Sequence, residues 1–271
     1  MDHLKSLVES IPIITVNKSD SFYTTVGTPG YQQKFKKDDM FLKASAVINR
    51  VVMNDHIVEK IASDFAESLR IECVHQDICK IKLGDFLMNG VKSRNFELDG
   101  YTFIPFKSFL EFNRVTYIEE ELTRLSTVDK MELCANVVSS YSNVRKLDYL
   151  NYLVDCAVLD CLVGNVDRHL KNFGLFLNSD KSYSIPLIFD NGMGMFENDS
   201  DRLSYKTLQE ADRYLYISPY GEDPFDMIDI LFDNCNMGKY QFDNIREPEV
   251  YPNDLAKLYF DKMFNYILRR F

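Results

Sequence analysis

The sequence predicts an α+β protein of two lobes, in which a small β-rich lobe with one helix precedes a larger and mostly helical lobe. Three observations support this class: short apolar runs dominate the first part of the chain, helical patterns dominate the second, and one hairpin pattern interrupts the helices. The chain has 271 residues, 46% of them hydrophobic and 27% charged, which is typical of a globular protein. We expect one domain over residues 1–271, with lobes at 1–96 and 107–271 and a linker at 97–106.

The first lobe begins with strand patterns and continues with a helix. Strands are predicted at Ile11–Val16, Ser21–Val26 and Asp39–Ala44, and Gly27-Thr28-Pro29-Gly30 is a turn signal between the second and the third. The helix has Asn54 as a possible cap. Its apolar face recurs at every fourth position, with Ile57, Ile61, Phe65 and Leu69.

A strand pair closes the first lobe, at Ile78–Leu83 and Val91–Leu98. We expect its turn at Asn89-Gly90, because an Asn-Gly pair between apolar runs is a strong hairpin signal.

The second lobe contains long helical patterns around a hairpin. The predicted helices are Thr127–Tyr141, Leu147–Leu162, Asp223–Phe232 and Asn253–Phe271, preceded by a short segment at Lys107–Phe112. Residues 147–162 are apolar nearly all round, which is expected of a helix buried on every side. Strands at Phe173–Leu177 and Tyr183–Phe189, joined by a turn at Asn178-Ser179-Asp180, form the hairpin.

Charge and composition argue against several classes of function. The formal net charge is −10, and an acidic surface repels both nucleic-acid phosphates and anionic lipid, so we expect no direct nucleic-acid contact. No stretch of about 18 apolar residues is present, so we expect no membrane span. The N-terminus lacks the pattern of a signal peptide, and the six cysteines form no CxxC pair. These features favour a cytoplasmic protein, or one secreted by a route without a signal peptide.

The clearest chemical pattern follows the buried helix. Asp167 and Asn172 lie five residues apart on an irregular segment, and Asp190 follows 18 residues later, at the end of the returning strand. This spacing allows one side chain to face a hydroxyl group while the other two meet a metal ion from opposite sides. Phosphoryl transfer requires such an arrangement, and Mg²⁺ prefers hard oxygen ligands.

The same residues carry a family resemblance. Asp167-Arg168-His169-x-x-Asn172, followed by an apolar strand and Phe189-Asp190-Asn191-Gly192, resembles the catalytic core of atypical protein kinases. Gly164 to Asn172 matches, position by position, the Gly-Asn-x-Asp-Arg-His-x-x-Asn loop of HipA-like kinases, which include the secreted CtkA-type kinases of bacteria. Phosphoinositide kinases share the shorter Asp-Arg-His-x-x-Asn. The resemblance implies a two-lobed, protein-kinase-like fold and phosphoryl transfer from Mg-ATP.

The resemblance also implies roles for the residues of the central motif. Asp167 would be the base or the orienting residue for the acceptor hydroxyl, and Asn172 with Asp190 would bind Mg²⁺. Arg168 and His169 would brace the loop, and we place His169 and Asp190 among the residues near the nucleotide. The later Leu231-Phe232-Asp233-Asn234 imitates the metal motif without its glycine, and we interpret it as a helix end.

The first lobe would then contact the phosphates of ATP. Gly27, Thr28 and Gly30 form a candidate phosphate loop, because glycines let backbone N–H groups approach a phosphate closely. The spacing Gly30-x-x-x-Lys34 resembles the loop of the HipA-like family, although Pro29 removes one N–H donor.

A lysine within an apolar strand is the second candidate contact. Lys43 is predicted to bind the α- and β-phosphates, since a buried lysine is costly unless it meets an anion. Its carboxylate partner should lie on the following helix, where Glu59 is our choice by resemblance and position, with Asp64 and Glu67 as competitors.

The adenine is expected to lie between the lobes. The connecting backbone that would meet it is either Val91–Phe96 followed by Leu98, or Thr102–Pro105, and the sequence leaves both open.

Three hypotheses for function follow. The first is a HipA-like serine/threonine protein kinase that uses Mg-ATP and autophosphorylates, which implies a protein substrate with a Ser or Thr acceptor and possible pairing with an antitoxin-like or host protein. The second is a phosphoinositide or small-molecule kinase with the same core. The third is a pseudokinase that binds a partner without catalysis, against which the presence of Asp167, Asn172 and Asp190 argues.

Overall fold

The computed structural model describes residues 11–21, 32–48, 50–96, 100–196, 217 and 219–270. The predicted phosphate-loop residues Gly27, Thr28 and Gly30 lie outside these ranges, as does most of the strand predicted at Ser21–Val26.

The first lobe is a five-stranded sheet with one long helix. Its elements are β1 (Ile13–Val16), β2 (Lys34–Lys37), β3 (Met40–Ala44), β4 (Val47–Ile48), β5 (Val51–Val52), α1 (Asp55–Leu69), β6 (Asp77–Leu83) and β7 (Phe86–Arg94). The strand order in the sheet is β1-β6-β7-β3-β2, with β1 parallel to β6 and the other neighbours antiparallel. Strands β4 and β5 form a separate two-stranded sheet.

The second lobe is mainly helical, as predicted. Its elements are β8 (Thr102–Pro105), α2 (Phe106–Phe112), α3 (Ile118–Leu122), α4 (Thr127–Tyr141), α5 (Lys146–Val163), β9 (Gly174–Leu177), β10 (Tyr183–Ser184), α6 (Pro224–Asn234) and α7 (Asp254–Leu268). Strand β9 is the centre of a three-stranded sheet in the order β10-β9-β8. The predicted α+β class, with a β-rich first lobe and a helical second lobe, is confirmed.

Two apolar clusters stabilise the part of the chain that the structure describes. A small one lies within the first sheet, where Phe35, Leu42 and Ile81 are almost fully buried. The larger one surrounds α5, whose residues from Cys156 to Val163 are all buried, and it includes the apolar face of α1. All six cysteines are free thiols. Within the described residues, every helix is too short or too polar to cross a membrane.

The prediction of a turn at Asn89-Gly90 is wrong. The chain turns at Gly84 and Asp85 instead, where Gly84 has a φ of +59°, and Asn89 and Gly90 lie inside β7. The glycine serves a different purpose there: a Cβ atom at Gly90 would overlap the carbonyl oxygen of Lys43 and lie 3.1 Å from the Cα atom of Ala44. The absent side chain therefore allows β3 to approach β7 beside Lys43.

We expect Gly90→Ala to destabilise the folded chain by about 1–3 kcal/mol, because the added methyl group forces β3 and β7 apart. Chemical denaturation monitored by circular dichroism would measure this. Gly238→Ala is the matched control, since its Cβ atom would have no neighbour nearer than 3.5 Å. If both variants unfold at the same denaturant concentration, the close approach at Gly90 does not limit stability.

Smaller differences from the predictions have local causes. Strand β10 ends at Ser184 rather than Phe189, and Pro186, which has no N–H group to donate, follows two residues later. Lys34 is the first residue of β2 and not part of a loop. Asn54 directly precedes α1, but its side chain accepts no capping hydrogen bond from the helix, and its amide nitrogen donates to the carbonyl of Pro252, 3.0 Å away.

Candidate active site

The loop that carries Asp167 begins at the end of α5. Gly164 closes this helix in the left-handed conformation, with a φ of +60°. The loop then folds on itself, because the backbone N–H of His169 donates to the carbonyl of Asp167 at 2.9 Å, and the N–H of Asn172 donates to the carbonyl of His169 at 2.8 Å. The side-chain amide of Asn172 also donates to the carbonyl of Asp167, at 2.9 Å. Asp167 and Asn172 are thereby held on one compact loop.

Asp167 is half-buried on this loop. Burial raises the pKa of its carboxyl group, and the negative charge of Asp190 raises it further, whereas His169 and Arg168 lower it. The net pKa lies above the ordinary value, which makes Asp167 a better proton acceptor than an exposed aspartate. His169, also half-buried, accepts from the backbone N–H of Lys171 through Nδ1 at 3.3 Å.

Lys43 lies at the centre of the site. Its ammonium group contacts Oε1 of Glu59 at 2.5 Å and also Oδ1 of Asp190. Burial alone would lower the pKa of Lys43, but the two carboxylates outweigh it and raise the pKa above its usual range. Asp64, a competitor of Glu59 in the sequence, pairs instead with Lys60.

Asp190 is the second of the two candidate metal ligands, beside Asn172. Burial alone would raise the pKa of Asp190, but the positive charges of Lys43 and Lys34 outweigh it, so the pKa lies well below its usual range and the group is ionised. The amide nitrogen of Asn172 donates a hydrogen bond to the loop backbone, and its Oδ1 accepts no hydrogen bond from any described residue. Two hard oxygen donors are therefore available, which fits Mg²⁺ completed by phosphate and water.

Lys34 and Lys43 are direct cross-strand neighbours in the β2–β3 pair, so their side chains lie on the same face of the sheet. Two adjacent ammonium groups on one face repel each other unless an anion lies between them. The structure therefore places Lys34, which lies on a strand, close to Lys43, the lysine predicted to bind the phosphates. Not all of the residues between Gly30 and Lys34 are described.

Helix α1 is tied to the segment after Asp190 through Glu59, which is 1% exposed. Its Oε2 accepts from the backbone N–H of Asn191 at 3.1 Å. Gly192 packs against the same side chain, because a Cβ atom there would lie 3.1 Å from Oε1 of Glu59 and 3.4 Å from Cβ of Asp55. One carboxylate therefore links the lysine strand, the helix and the candidate metal segment.

Sequence reasoning missed Asp55, which is buried at the start of α1. It accepts from the backbone N–H of Ala46 at 3.1 Å and from the amide of Gln32, which precedes β2. An acidic residue in the first turn of a helix is so common that the sequence offers no specific signal for this contact.

The two lobes also join directly behind the site. The N–H of Val74 donates to the carbonyl of Ile188 at 2.8 Å, and the N–H of Ile188 donates to the carbonyl of Glu72 at 3.0 Å. Cys73 and Ile188 thereby form a parallel bridge between the segment after α1 and the segment before Asp190.

A cluster of aromatic rings connects the two lobes. The ring of Phe96 lies 5.1 Å from that of Phe41 on β3 and 5.1 Å from that of Phe176 on β9. Of the predicted connecting segments, Val91–Arg94 belongs to β7 and Thr102–Pro105 forms β8. Which of them meets an adenine stays a prediction, as does the division of the lobes at 97–106.

The fold is similar to that of a solved kinase structure. No curated protein sequence matches the chain. The structure of the proinflammatory kinase CtkA from Helicobacter pylori matches with a TM-score of 0.58 and 18% sequence identity, over 95% of each chain. A chain from the HipA, HipB and operator DNA complex of Shewanella oneidensis MR-1 matches with a TM-score of 0.43 and 12% identity, over 99% of this chain and 69% of that one. The likeness to CtkA confirms the two-lobed, kinase-like fold.

The family follows from a separate match. The model of the HipA-like C-terminal domain matches residues 20–211, which is more than half of the chain and includes the loop of Asp167 and the segment of Asp190. The chain therefore belongs to the HipA-like C-terminal domain family.

Proposed function

We propose that the protein is a serine/threonine protein kinase that transfers the γ-phosphoryl group of Mg-ATP. The observation that carries this proposal is the contact of Lys43 with both Glu59 and Asp190. It joins a strand lysine, a helix carboxylate and a candidate metal ligand beside Asp167, and these are the parts that phosphoryl transfer uses.

Each charged side chain has a place in this reaction. Lys43 would bind the α- and β-phosphates, with Lys34 on the neighbouring strand adding a second positive charge. Asn172 and Asp190 would hold Mg²⁺, which neutralises phosphate charge when bound. Among the described residues, no group of three or more His, Cys, Asp or Glu side chains is arranged to hold a metal ion.

Asp167 would act on the acceptor. It would accept a hydrogen bond from the Ser or Thr hydroxyl group and so orient the oxygen towards the γ-phosphorus. The new bond forms between these two atoms, the bond from the γ-phosphorus to the β–γ bridging oxygen breaks, and the hydroxyl proton passes to Asp167. ADP leaves with the negative charge of the broken bond, next to Lys43.

The test is incubation of the chain with γ-labelled ATP and Mg²⁺ in three mixtures: the chain alone, the chain with a generic protein, and the chain with phosphoinositide vesicles. Label on Ser or Thr of the chain or of the added protein would support the proposal, and mapping of the labelled peptides would locate the acceptor. Label on lipid alone would indicate a phosphoinositide kinase. Nucleotide binding without any transfer would indicate a pseudokinase.

The biological setting stays a prediction. The resemblance implies an antitoxin-like or host protein partner.

A further inference from the structure

Arg168 is a fully buried charged side chain next to the candidate site, and sequence analysis assigns it only a bracing role. Its side chain is 1% exposed, and that of its partner Asp160 on α5 is 0% exposed. The pair is bidentate: Nε donates to Oδ2 at 3.0 Å, and Nη2 donates to Oδ1 at 2.8 Å. Burial alone would lower the pKa of Arg168, but Asp160 outweighs it, so the guanidinium stays charged.

The remaining donors of this guanidinium reach two loops. Nη1 donates to the carbonyl of Asn172 at 3.2 Å and to the carbonyl of Phe189 at 2.6 Å, while Nη2 also donates to Oδ1 of Asn191. A guanidinium has five N–H groups, and these contacts together with those to Asp160 use all five. The rigid, planar guanidinium therefore fixes three points outside α5, on Asn172, Phe189 and Asn191.

These three points surround the two candidate metal ligands. One is the backbone of Asn172 itself, and the other two are the neighbours of Asp190 on either side, Phe189 and Asn191. Asp190 has a φ of +62°, a left-handed conformation that a non-glycine residue adopts only when its surroundings hold it there. Arg168 supplies such support both before and after this residue.

We infer that Arg168 is a positioning residue that sets the separation and orientation of Asn172 and Asp190, and that Asp160 holds its guanidinium for this task. The inference rests on the proposed function, because it assigns Arg168 to the metal site of that reaction. Arg168 acts through other residues and would touch neither metal nor nucleotide.

Lysine should not replace this arginine. An ammonium group has three donors and no planar fork, so it would keep the charge opposite Asp160 while releasing the carbonyls of Asn172 and Phe189. Residues that orient metal ligands typically change metal affinity by about 10–100-fold when they are substituted. We expect a loss in this range for Arg168→Lys, with the chain still folded.

The experiment measures Mn²⁺ binding by electron paramagnetic resonance, in the presence of a non-hydrolysable ATP analogue. Nucleotide affinity without metal is measured in parallel by calorimetry. For Arg168→Lys, we expect Mn²⁺ affinity to fall by about 10–100-fold while metal-free nucleotide affinity, which depends on Lys43, is unchanged. Asn191→Ala leaves the buried ion pair intact and removes one anchor, so it should show a smaller loss in the same direction and keeps the test valid if Arg168→Lys unfolds.

Tyr259→Phe is the control for a general loss of stability. It removes the hydrogen bond of the buried Tyr259 hydroxyl to the carbonyl of Cys161, at the same end of α5, and leaves Arg168, Asn172 and Asp190 unchanged in sequence. Its melting temperature should fall while its Mn²⁺ affinity is unchanged. The inference would be wrong, and the proposed function unaffected, if Arg168→Lys and Asn191→Ala both bound Mn²⁺ with wild-type affinity. The same holds if Tyr259→Phe lost as much Mn²⁺ affinity as they do. A wild-type chain that binds neither Mn²⁺ nor nucleotide would overturn the proposed function with it.

Discussion

Replacing Asp167 with asparagine should lower the rate of phosphoryl transfer by about 10²–10⁴-fold, because the side chain keeps its shape but can no longer take the hydroxyl proton. Nucleotide binding should be spared, since the lysines and the candidate metal ligands do not change. The rate is measured with labelled ATP under single-turnover conditions, and nucleotide affinity is measured by calorimetry on the same preparation.

Asp180→Asn is the matched control, because Asp180 is exposed on the turn between β9 and β10, where its carboxylate accepts hydrogen bonds from Ser182. It should transfer phosphate at the wild-type rate. An Asp167→Asn variant that retains more than a tenth of the wild-type rate would show that this carboxylate is not the proton acceptor, and would leave orientation by other groups as the explanation.

Replacing Asp190 with alanine should remove both turnover and the Mg²⁺ dependence of nucleotide binding. A metal ion contributes several kcal/mol of charge stabilisation in the transition state, and at 1.36 kcal/mol for each factor of ten its loss lowers the rate by about 100-fold or more. Lys43 keeps its contact with Glu59 in this variant, so no buried ammonium group is left unpaired. Transfer rates and nucleotide affinities are measured across a Mg²⁺ titration.

The look-alike motif in the second lobe offers the control for this variant. Asp233 stands in the sequence Phe232-Asp233-Asn234 but lies exposed in the last turn of α6. Asp233→Ala should leave the Mg²⁺ titration unchanged. If Asp190→Ala shows the same titration as the wild type, Asp190 does not bind the metal.

The sequence predicts the two-lobed fold well because its signals are local. The helical patterns of α4 and α5 and the hairpin after Asn172 are visible within windows of 15 to 20 residues. The cost of burying a lysine predicts an anionic partner for Lys43, but Glu59 was chosen over Asp64 and Glu67 by resemblance and by its position in the helix.

The features that the sequence does not predict depend on contacts between distant segments. Nothing local distinguishes Gly84 from Gly90 as the turn residue, because the requirement at Gly90 comes from the backbone of β3. Likewise, the sequence predicts for Arg168 no more than a role in bracing the loop. Its five contacts become visible only when α5, the loop and the segment around Asp190 are placed together.

The bridge between Cys73 and Ile188 restricts how the two lobes can move relative to each other. Ile188 is held by backbone hydrogen bonds on both its N–H and its carbonyl, two residues before Asp190. An axis of rotation between the lobes should therefore pass close to Ile188, and opening should separate the side of Phe96 while α1 and Asp190 move together. In the proposed kinase, the charges that would bind the phosphates would therefore stay together when the lobes separate.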